Sequence, residues 1–399
     1  MEQNSLPRVT VAFFGKRNAG KSSLVNAITA QDMSIVSEIK GTTTDPVKKT
    51  MELLPLGPVV IIDTPGIDDE GELGQLRIEK TRRILDSVQI AVLVKDCREK
   101  KFSPEEKYLL DEFKNKKVPC VVALNKCDLA EDEENCVPME ENSESRIFVS
   151  ALSKKNIEGL KNKIASLRPQ QHKVPFVKDL LKPKDTVVLV IPIDKAAPEG
   201  RLILPQQIAL RDILDAQAVP VCTSVENLSY SLENLKQKPV MVITDSQAFA
   251  QVNKIVPEEI PLTSFSILMS RFKGTLEHSA ECVKKIDELK SCDRVLISEG
   301  CTHHRQCGDI GTQKIPALLK KYSGRELAFD FTSGGTFPED LSAYTLVIHC
   351  GGCMLNEKEM QSREVYCRKQ GVPFTNYGMA IAFMNGILKR TLEIPGFTF

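Results

Sequence analysis

Two groups of residues have the types and spacing to do chemistry. Near the C-terminal end, His349-Cys350-Gly351-Gly352-Cys353 sets two thiols three positions apart, with an imidazole touching the first. Earlier in the chain, Cys301-Thr302-His303-His304 repeats the theme. The chain has only five histidines, and three of them (His303, His304 and His349) fall in these two patches, which packing alone does not explain. Cys301, Cys350 and Cys353 with nearby imidazoles suit zinc or an iron–sulfur cluster, and the spacing does not separate the two. A redox couple of Cys350 and Cys353 and a set of buried free thiols around a glycine turn are the competing readings. Cys307 is a spare ligand. Cys97, Cys120, Cys127, Cys136, Cys222, Cys282, Cys292 and Cys367 read as ordinary burial.

The second group is Gly15-Lys16-Arg17-Asn18-Ala19-Gly20-Lys21-Ser22, which fits the phosphate-loop pattern between a strand and a helix. Its glycines let successive backbone N–H groups, together with the helix N-terminus, face a phosphate. Lys21 reaches the β- and γ-phosphates, and Ser22, followed by Ser23, offers a hydroxyl to Mg²⁺. Asp63-Thr64-Pro65-Gly66 ends another strand: Asp63 can hold Mg²⁺ through water, and the Gly66 N–H can meet the γ-phosphate. Asn125-Lys126-Cys127-Asp128 ends a third. The Asp128 carboxylate can accept from guanine N1 and N2, a donor pair that adenine lacks, so the element selects GTP. Ser150-Ala151-Leu152 would contact guanine O6. Between the phosphate loop and Asp63, Lys40-Gly-Thr42-Thr43-Thr44 is placed to close over Mg²⁺ and the γ-phosphate. Thr43 is the first choice there, with Thr42 and Thr44 as rivals. The catalytic set is therefore Lys21, Thr43, Asp63 and Gly66. Ile67 stands where Ras-type enzymes carry a water-orienting glutamine.

These loops need strands to carry them. The 399-residue chain allows two or three domains. Residues 1–170 alternate apolar runs such as Arg8–Phe14, Val59–Gly66 and Gln89–Asp96 with helical stretches, which is the pattern of a parallel sheet covered on both faces. Leu167–Pro175 reads as a linker. Residues 176–266 form a second α/β segment without reactive clusters, read as scaffold or oligomer interface. Residues 267–399 form a third, open α/β sheet. The cysteine patches directly follow two of its strands, at the edge where such sheets bind ligands. No solenoid-type repeat and no low-complexity tract is evident. Lys plus Arg equals Asp plus Glu, 53 each, so nothing favours bulk nucleic-acid or anionic-membrane binding. No apolar run reaches membrane-spanning length, and the N-terminus does not read as a secretory signal. The expectation is a cytoplasmic protein with reduced thiols.

Asn18, the Gly41-Thr-Thr-Thr-Asp45 stretch and an apolar residue after Gly66 resemble the TrmE–Era class of GTPases. That resemblance implies a potassium ion in the catalytic site, with Asn18 as its ligand. A GTPase of this kind followed by Cys-x-His and a distant His-Cys-x-x-Cys resembles the HydF family, the maturation GTPases of [FeFe]-hydrogenase, along all three segments. The resemblance implies a P-loop GTPase domain, a middle α/β dimerisation domain and a C-terminal open α/β cluster-binding domain. It implies GTP and GDP, Mg²⁺, K⁺ and a [4Fe–4S] cluster held by Cys301, Cys350 and Cys353, with His303, His304 or His349 as candidate fourth ligand. It also implies a homodimer that carries a two-iron precursor to apo-[FeFe]-hydrogenase alongside the other maturases; the balanced charge and the lack of a long apolar run predict no nucleic-acid or membrane partner. An RNA- or ribosome-associated GTPase with a structural zinc site is the alternative.

Overall fold

The computed structural model describes residues 8–29, 47–66, 81–129, 146–168, 174–193, 202–300 and 309–394. The chain divides into two compact units, Met1–Gln171 and His172–Phe399.

The first unit runs β1 (Val9–Phe14), α1 (Lys21–Thr29), β2 (Val47–Leu53), β3 (Gly57–Asp63), β4 (Ile90–Asp96), α2 (Pro104–Asn115), β5 (Cys120–Asn125), β6 (Arg146–Phe148) and α3 (Ile157–Ser166). The sheet order is β2-β3-β1-β4-β5-β6. Every pairing is parallel except β2 with β3. The apolar runs of β1 and β4 are buried almost throughout, because helices cover both faces. α2 starts with a reciprocal cap. The Ser103 hydroxyl accepts from Glu106 N, Glu106 Oε2 accepts from Ser103 N, and Pro104 sits where no N–H is needed. The same Glu106 carboxylate pairs with fully buried Lys95 at 3.1 Å, so the charge inside this core is matched.

The second unit runs β7 (Thr186–Val190), α4 (Leu204–Asp215), β8 (Val219–Thr223), α5 (Leu228–Glu233), β9 (Met241–Thr244), α6 (Phe249–Ile255), β10 (Leu262–Ser264), α7 (Phe265–Phe272) and α8 (Leu276–Cys282). It continues with β11 (Arg294–Ser298), α9 (Ile315–Ser323), β12 (Ala328–Thr332), β13 (Leu346–His349), α10 (Glu357–Lys369), β14 (Phe374–Asn376), α11 (Tyr377–Met384) and α12 (Leu388–Leu392). Its two four-stranded parallel sheets have the orders β10-β9-β7-β8 and β12-β11-β13-β14. Numbered within each sheet, both read 2-1-3-4.

The likeness between these sheets extends to single atoms. A Lys-x-x-Asp turn precedes each first strand: Asp185 Oδ2 accepts from Lys182 N at 2.7 Å, and Asp293 Oδ2 from Lys290 N at 2.8 Å. The residue before each aspartate is left-handed, Lys184 at φ 73° and Cys292 at φ 74°. Thr244 ends β9 opposite Val190, as His349 ends β13 opposite Ser298. Each copy also lends its last helix to the other: α8 packs on β14 and α12 on β10. Thr375 Oγ1 donates to Ser279 O at 2.9 Å, and Thr263 Oγ1 donates to Thr391 O at 3.2 Å. One buried core joins Val188 and Val242 of the first copy to Val295 and Ile348 of the second.

The unit is therefore an internal duplication of a non-solenoid kind. The 266/267 division expected from the sequence falls inside α7, which is continuous from Phe265 to Phe272. Two cysteines expected to be buried are exposed, Cys222 on the edge strand β8 and Cys292 in the left-handed turn.

Candidate functional site

In the first unit the expected nucleotide elements stand at the C-terminal ends of β1, β3, β5 and β6. The phosphate loop leaves β1 at Gly15, whose φ is 143° and where a Cβ would lie 2.1 Å from Val94 O, so only glycine fits. Lys21 Nζ arches back over the loop and donates to Gly15 O at 2.9 Å and Lys16 O at 2.7 Å. Asn18, at φ 60°, is exposed on the loop, as is Ser23 at the start of α1. Ser22 Oγ donates to Asp63 Oδ2 at 2.5 Å, which brings together the hydroxyl and the carboxylate expected at Mg²⁺. Asp63 Oδ1 is buried without a hydrogen-bond partner, and burial raises the carboxyl above its usual pKa. A carboxylate oxygen left bare beside a hydroxyl fits a hard cation with oxygen ligands.

Asn125 ties the site together. Its Nδ2 donates to Ala19 O at 3.0 Å, and its Oδ1 accepts from Ala151 N at 3.1 Å. Three loops distant in sequence are thus fixed by one buried amide. Lys126 is left-handed at φ 66° and pairs with Asp96 at 2.9 Å. Asp96 also accepts from Arg98, and these contacts hold its carboxyl below the usual range. Asp128 is exposed, whereas the buried Ser150 hydroxyl accepts from Ser153 N. Sequence reading missed Asp96, whose role depends on the adjacency of β4 and β5. Thr42, Thr43, Thr44 and Ile67 lie outside the described residues.

In the second unit β11 and β13 are direct neighbours, with Ser298 opposite His349. The strands that precede the two cysteine patches therefore end side by side. Gly300 N donates to Cys350 Sγ at 3.0 Å, and Gly352 N approaches it at 3.4 Å. A Cβ on Gly300 would lie 3.2 Å from Gly352 Cα and 2.9 Å from Leu355 Cγ, so the two loops touch backbone to backbone. Cys301 follows Gly300 directly in the chain. Cys301, His303, His304, Cys307 and Cys136 themselves lie outside the described residues. Among the described residues no three His, Cys, Asp or Glu side chains converge as a metal-holding group.

Burial pushes the Cys350 thiol up to about 11 and also raises Cys353, while N–H donors at the sulfur pull the other way. Backbone N–H groups aimed at a sulfur are the surroundings that a metal-bound thiolate needs, and a metal displaces the thiol proton. The residues present thus fit soft thiolate ligation.

His349 is fully buried, and burial followed by the nearby Arg363 guanidinium lowers its pKa to about 3. Arg363 donates to Nε2 at 2.9 Å, so the ring proton sits on Nδ1, which faces Cys350 O at 2.7 Å. That arrangement leaves His349 no free lone pair for a metal and makes it a brace behind the cysteine loop. Arg363 is itself held by Gly334 O at 2.7 Å and Glu359 Oε1 at 2.9 Å. The sequence around it, Asn356–Gln370, reads as an ordinary charged helix, so nothing singled it out.

Family models match three stretches of the chain: "50S ribosome-binding GTPase" at residues 10–126, "Hydrogen maturase F dimerization domain" at 176–274 and "Hydrogen maturase F tetramerization domain" at 277–394. The tRNA modification GTPase MnmE of Clostridioides difficile is 36% identical over 156 residues, covering 38% of this chain and 33% of that protein. GTPase Der of Mycoplasmopsis pulmonis is 31% identical over 194 residues, covering 44% of each. The chain therefore spans less than half the length of both relatives. Among solved structures, Era of Aquifex aeolicus bound to GDP and AlF₄⁻ matches with a TM-score of 0.37 and 20% identity, covering 55% of this chain and 93% of that one. No helix among the described residues is long and apolar enough to cross a membrane.

Proposed function

Because the chain belongs to the hydrogen maturase F family, we propose that it hydrolyses GTP in its first unit and carries a [4Fe–4S] cluster in its second. On that cluster it presents the two-iron precursor of the [FeFe]-hydrogenase active site to the apo-hydrogenase. The observation that carries the reading is the contact of Gly300 with the Cys350 sulfur, which supports convergence of Cys301, Cys350 and Cys353. When bound, such a cluster supplies an iron whose fourth position is open to an outside ligand.

The chain's own residues divide the work. Lys21 and the loop N–H groups bind phosphate oxygens, and Asp128 reads guanine. Ser22 and Asp63 hold Mg²⁺, with Thr43 closing over it. Asn18 places a potassium ion against the phosphates. Asn125 keeps the phosphate loop and the Ser150-Ala151 loop in fixed relation. Gly300 and Gly352 steady the Cys350 sulfur, and His349 with Arg363 braces the strand end. Hydrolysis serves as a switch for partner exchange, since γ-phosphate contacts order the switch segments of GTPases and hydrolysis releases them. The dimerization and tetramerization descriptions support a homo-oligomer. In this reading it works alongside the other maturases in the cytoplasm.

The test is iron analysis and EPR of the full chain purified and reconstituted without oxygen. About four irons per chain with a reduced-cluster signal agree with the reading. One tightly held zinc and no iron uptake would instead favour an RNA- or ribosome-associated GTPase, the class of the MnmE relative. GTP turnover is expected to rise when K⁺ replaces Na⁺, and equal rates in both salts would remove the potassium role of Asn18.

A further inference from the structure

The cysteine loop does not rest on its own repeat alone. A Cβ on Gly351 would lie 3.4 Å from Met269 Cγ and 3.8 Å from Ser266 Oγ, both on α7 of the first repeat. Cys353 packs against the core that holds Phe265, Leu268 and Met269. At the C-terminal end of α7, Lys273 is only 6% exposed, and its Nζ donates to Leu355 O at 2.6 Å, two residues past Cys353. Lys273 O in turn accepts from Gln361 Nε2 at 3.1 Å, so α10 is fastened to the same helix end. On the other side of the loop, Ser266 O accepts from Asn376 Nδ2 at 3.0 Å.

We propose that the cluster pocket is a composite of both repeats. Helix α7, from the stretch matching the dimerization family model, supplies one wall, and Lys273 is a positioning residue that clamps the Cys350–Cys353 loop and places a positive charge beside it. The physical ground is twofold. A buried ammonium fixed to the backbone two residues from a ligand sulfur restricts where that sulfur can go. A positive charge in a dry site favours the reduced, more negative state of a nearby cluster. The proposal rests on the cluster reading given above.

The test uses the full chain, reconstituted without oxygen, with the cluster midpoint potential read by EPR-monitored redox titration. Lys273→Gln keeps a donor for the Leu355 carbonyl and removes the charge. It is expected to take up as much iron as the parent and to show a more negative midpoint, with Lys273→Arg returning towards the parent value. Equal iron and an unchanged midpoint in Lys273→Gln would overturn the role of Lys273 and leave the cluster reading standing. No iron uptake by the unaltered chain would overturn both.

Should Lys273→Gln not fold, a second pair decides the shared wall. Gly351→Leu is expected to drive its side chain into Met269 and cut iron uptake at least tenfold, and Met269→Ala in the same chain is expected to restore it. Failure of Met269→Ala to restore uptake would overturn the composite pocket.

Discussion

The two repeats of the second unit share strand order, entry turns and exchanged helices, yet they differ where the third strand ends. The first repeat reads Thr244-Asp245-Ser246-Gln247-Ala248, and the second reads His349-Cys350-Gly351-Gly352-Cys353. In the first, Asp245 accepts from Gln206 Nε2 at 3.0 Å, and Ser246 Oγ lies 3.1 Å from Ser264 Oγ, so the polar side chains bind one another. In the second, glycines strip side chains from the loop and the sulfur receives backbone N–H groups. One scaffold thus carries a self-satisfied corner and a ligand-ready one. The difference lies in five residues beyond a strand, where open parallel sheets place their sites.

If the repeats are halves of one body, separating them should have the largest effect. A chain of residues 172–275 keeps β10 but loses α12 from its face, and the shared core loses more than half its members. It is expected to show no cooperative thermal transition by circular dichroism, while the intact second unit melts in a single step. Two separate transitions in the intact unit would break the comparison. Next in size is the contrast at the strand ends. Cys350→Ser is expected to lower reconstituted iron to background, whereas Asp245→Ser at the matching place leaves iron unchanged. Equal loss in both would mean that iron content follows general stability, not ligation. Third, Arg363→Met removes the buried partner of His349 and Glu359, for a loss of about 3 kcal/mol in urea unfolding. A loss well under 1 kcal/mol would show that the brace behind the cysteine loop matters little.

How much of this was legible in the sequence depends on range. The phosphate loop, Asp63 and Asn125–Asp128 were readable because each motif is local and sits where an apolar strand stops. The neighbouring placement of β11 and β13 was a condition that the sequence left open, and the pairing of Ser298 with His349 meets it. The duplication was present but faint. Pro261-Leu-Thr-Ser-Phe and Pro373-Phe-Thr-Asn-Tyr align, as do Lys182-Pro-Lys-Asp185 and Lys290-Ser-Cys-Asp293, yet their offsets differ because the intervening loops differ in length. The short strands β10 and β14, each with three residues, carry too little pattern to be read as strands. Arg363 and Lys273 were illegible for another reason. A lysine at a helix end and an arginine in a charged helix look solvated until a second element covers them, and only tertiary packing supplies that element.

The finest test of the two-fold relation uses its smallest contacts. Thr263 and Thr375 are both fully buried, and each donates its hydroxyl to a carbonyl at or near the last helix of the other repeat, at 3.2 Å and 2.9 Å. Valine keeps the shape of threonine and removes the donor. Each carbonyl then loses its hydroxyl donor in a dry site, at a cost of about 1 kcal/mol. For a body of this size that corresponds to a melting shift of about 2–4 °C. Thr263→Val and Thr375→Val should therefore lower the melting temperature by similar amounts, with the shorter Thr375 bond setting the larger of the two. A loss confined to one of them would mean that the exchange of helices is reciprocal in geometry only, with a single repeat holding the pair together.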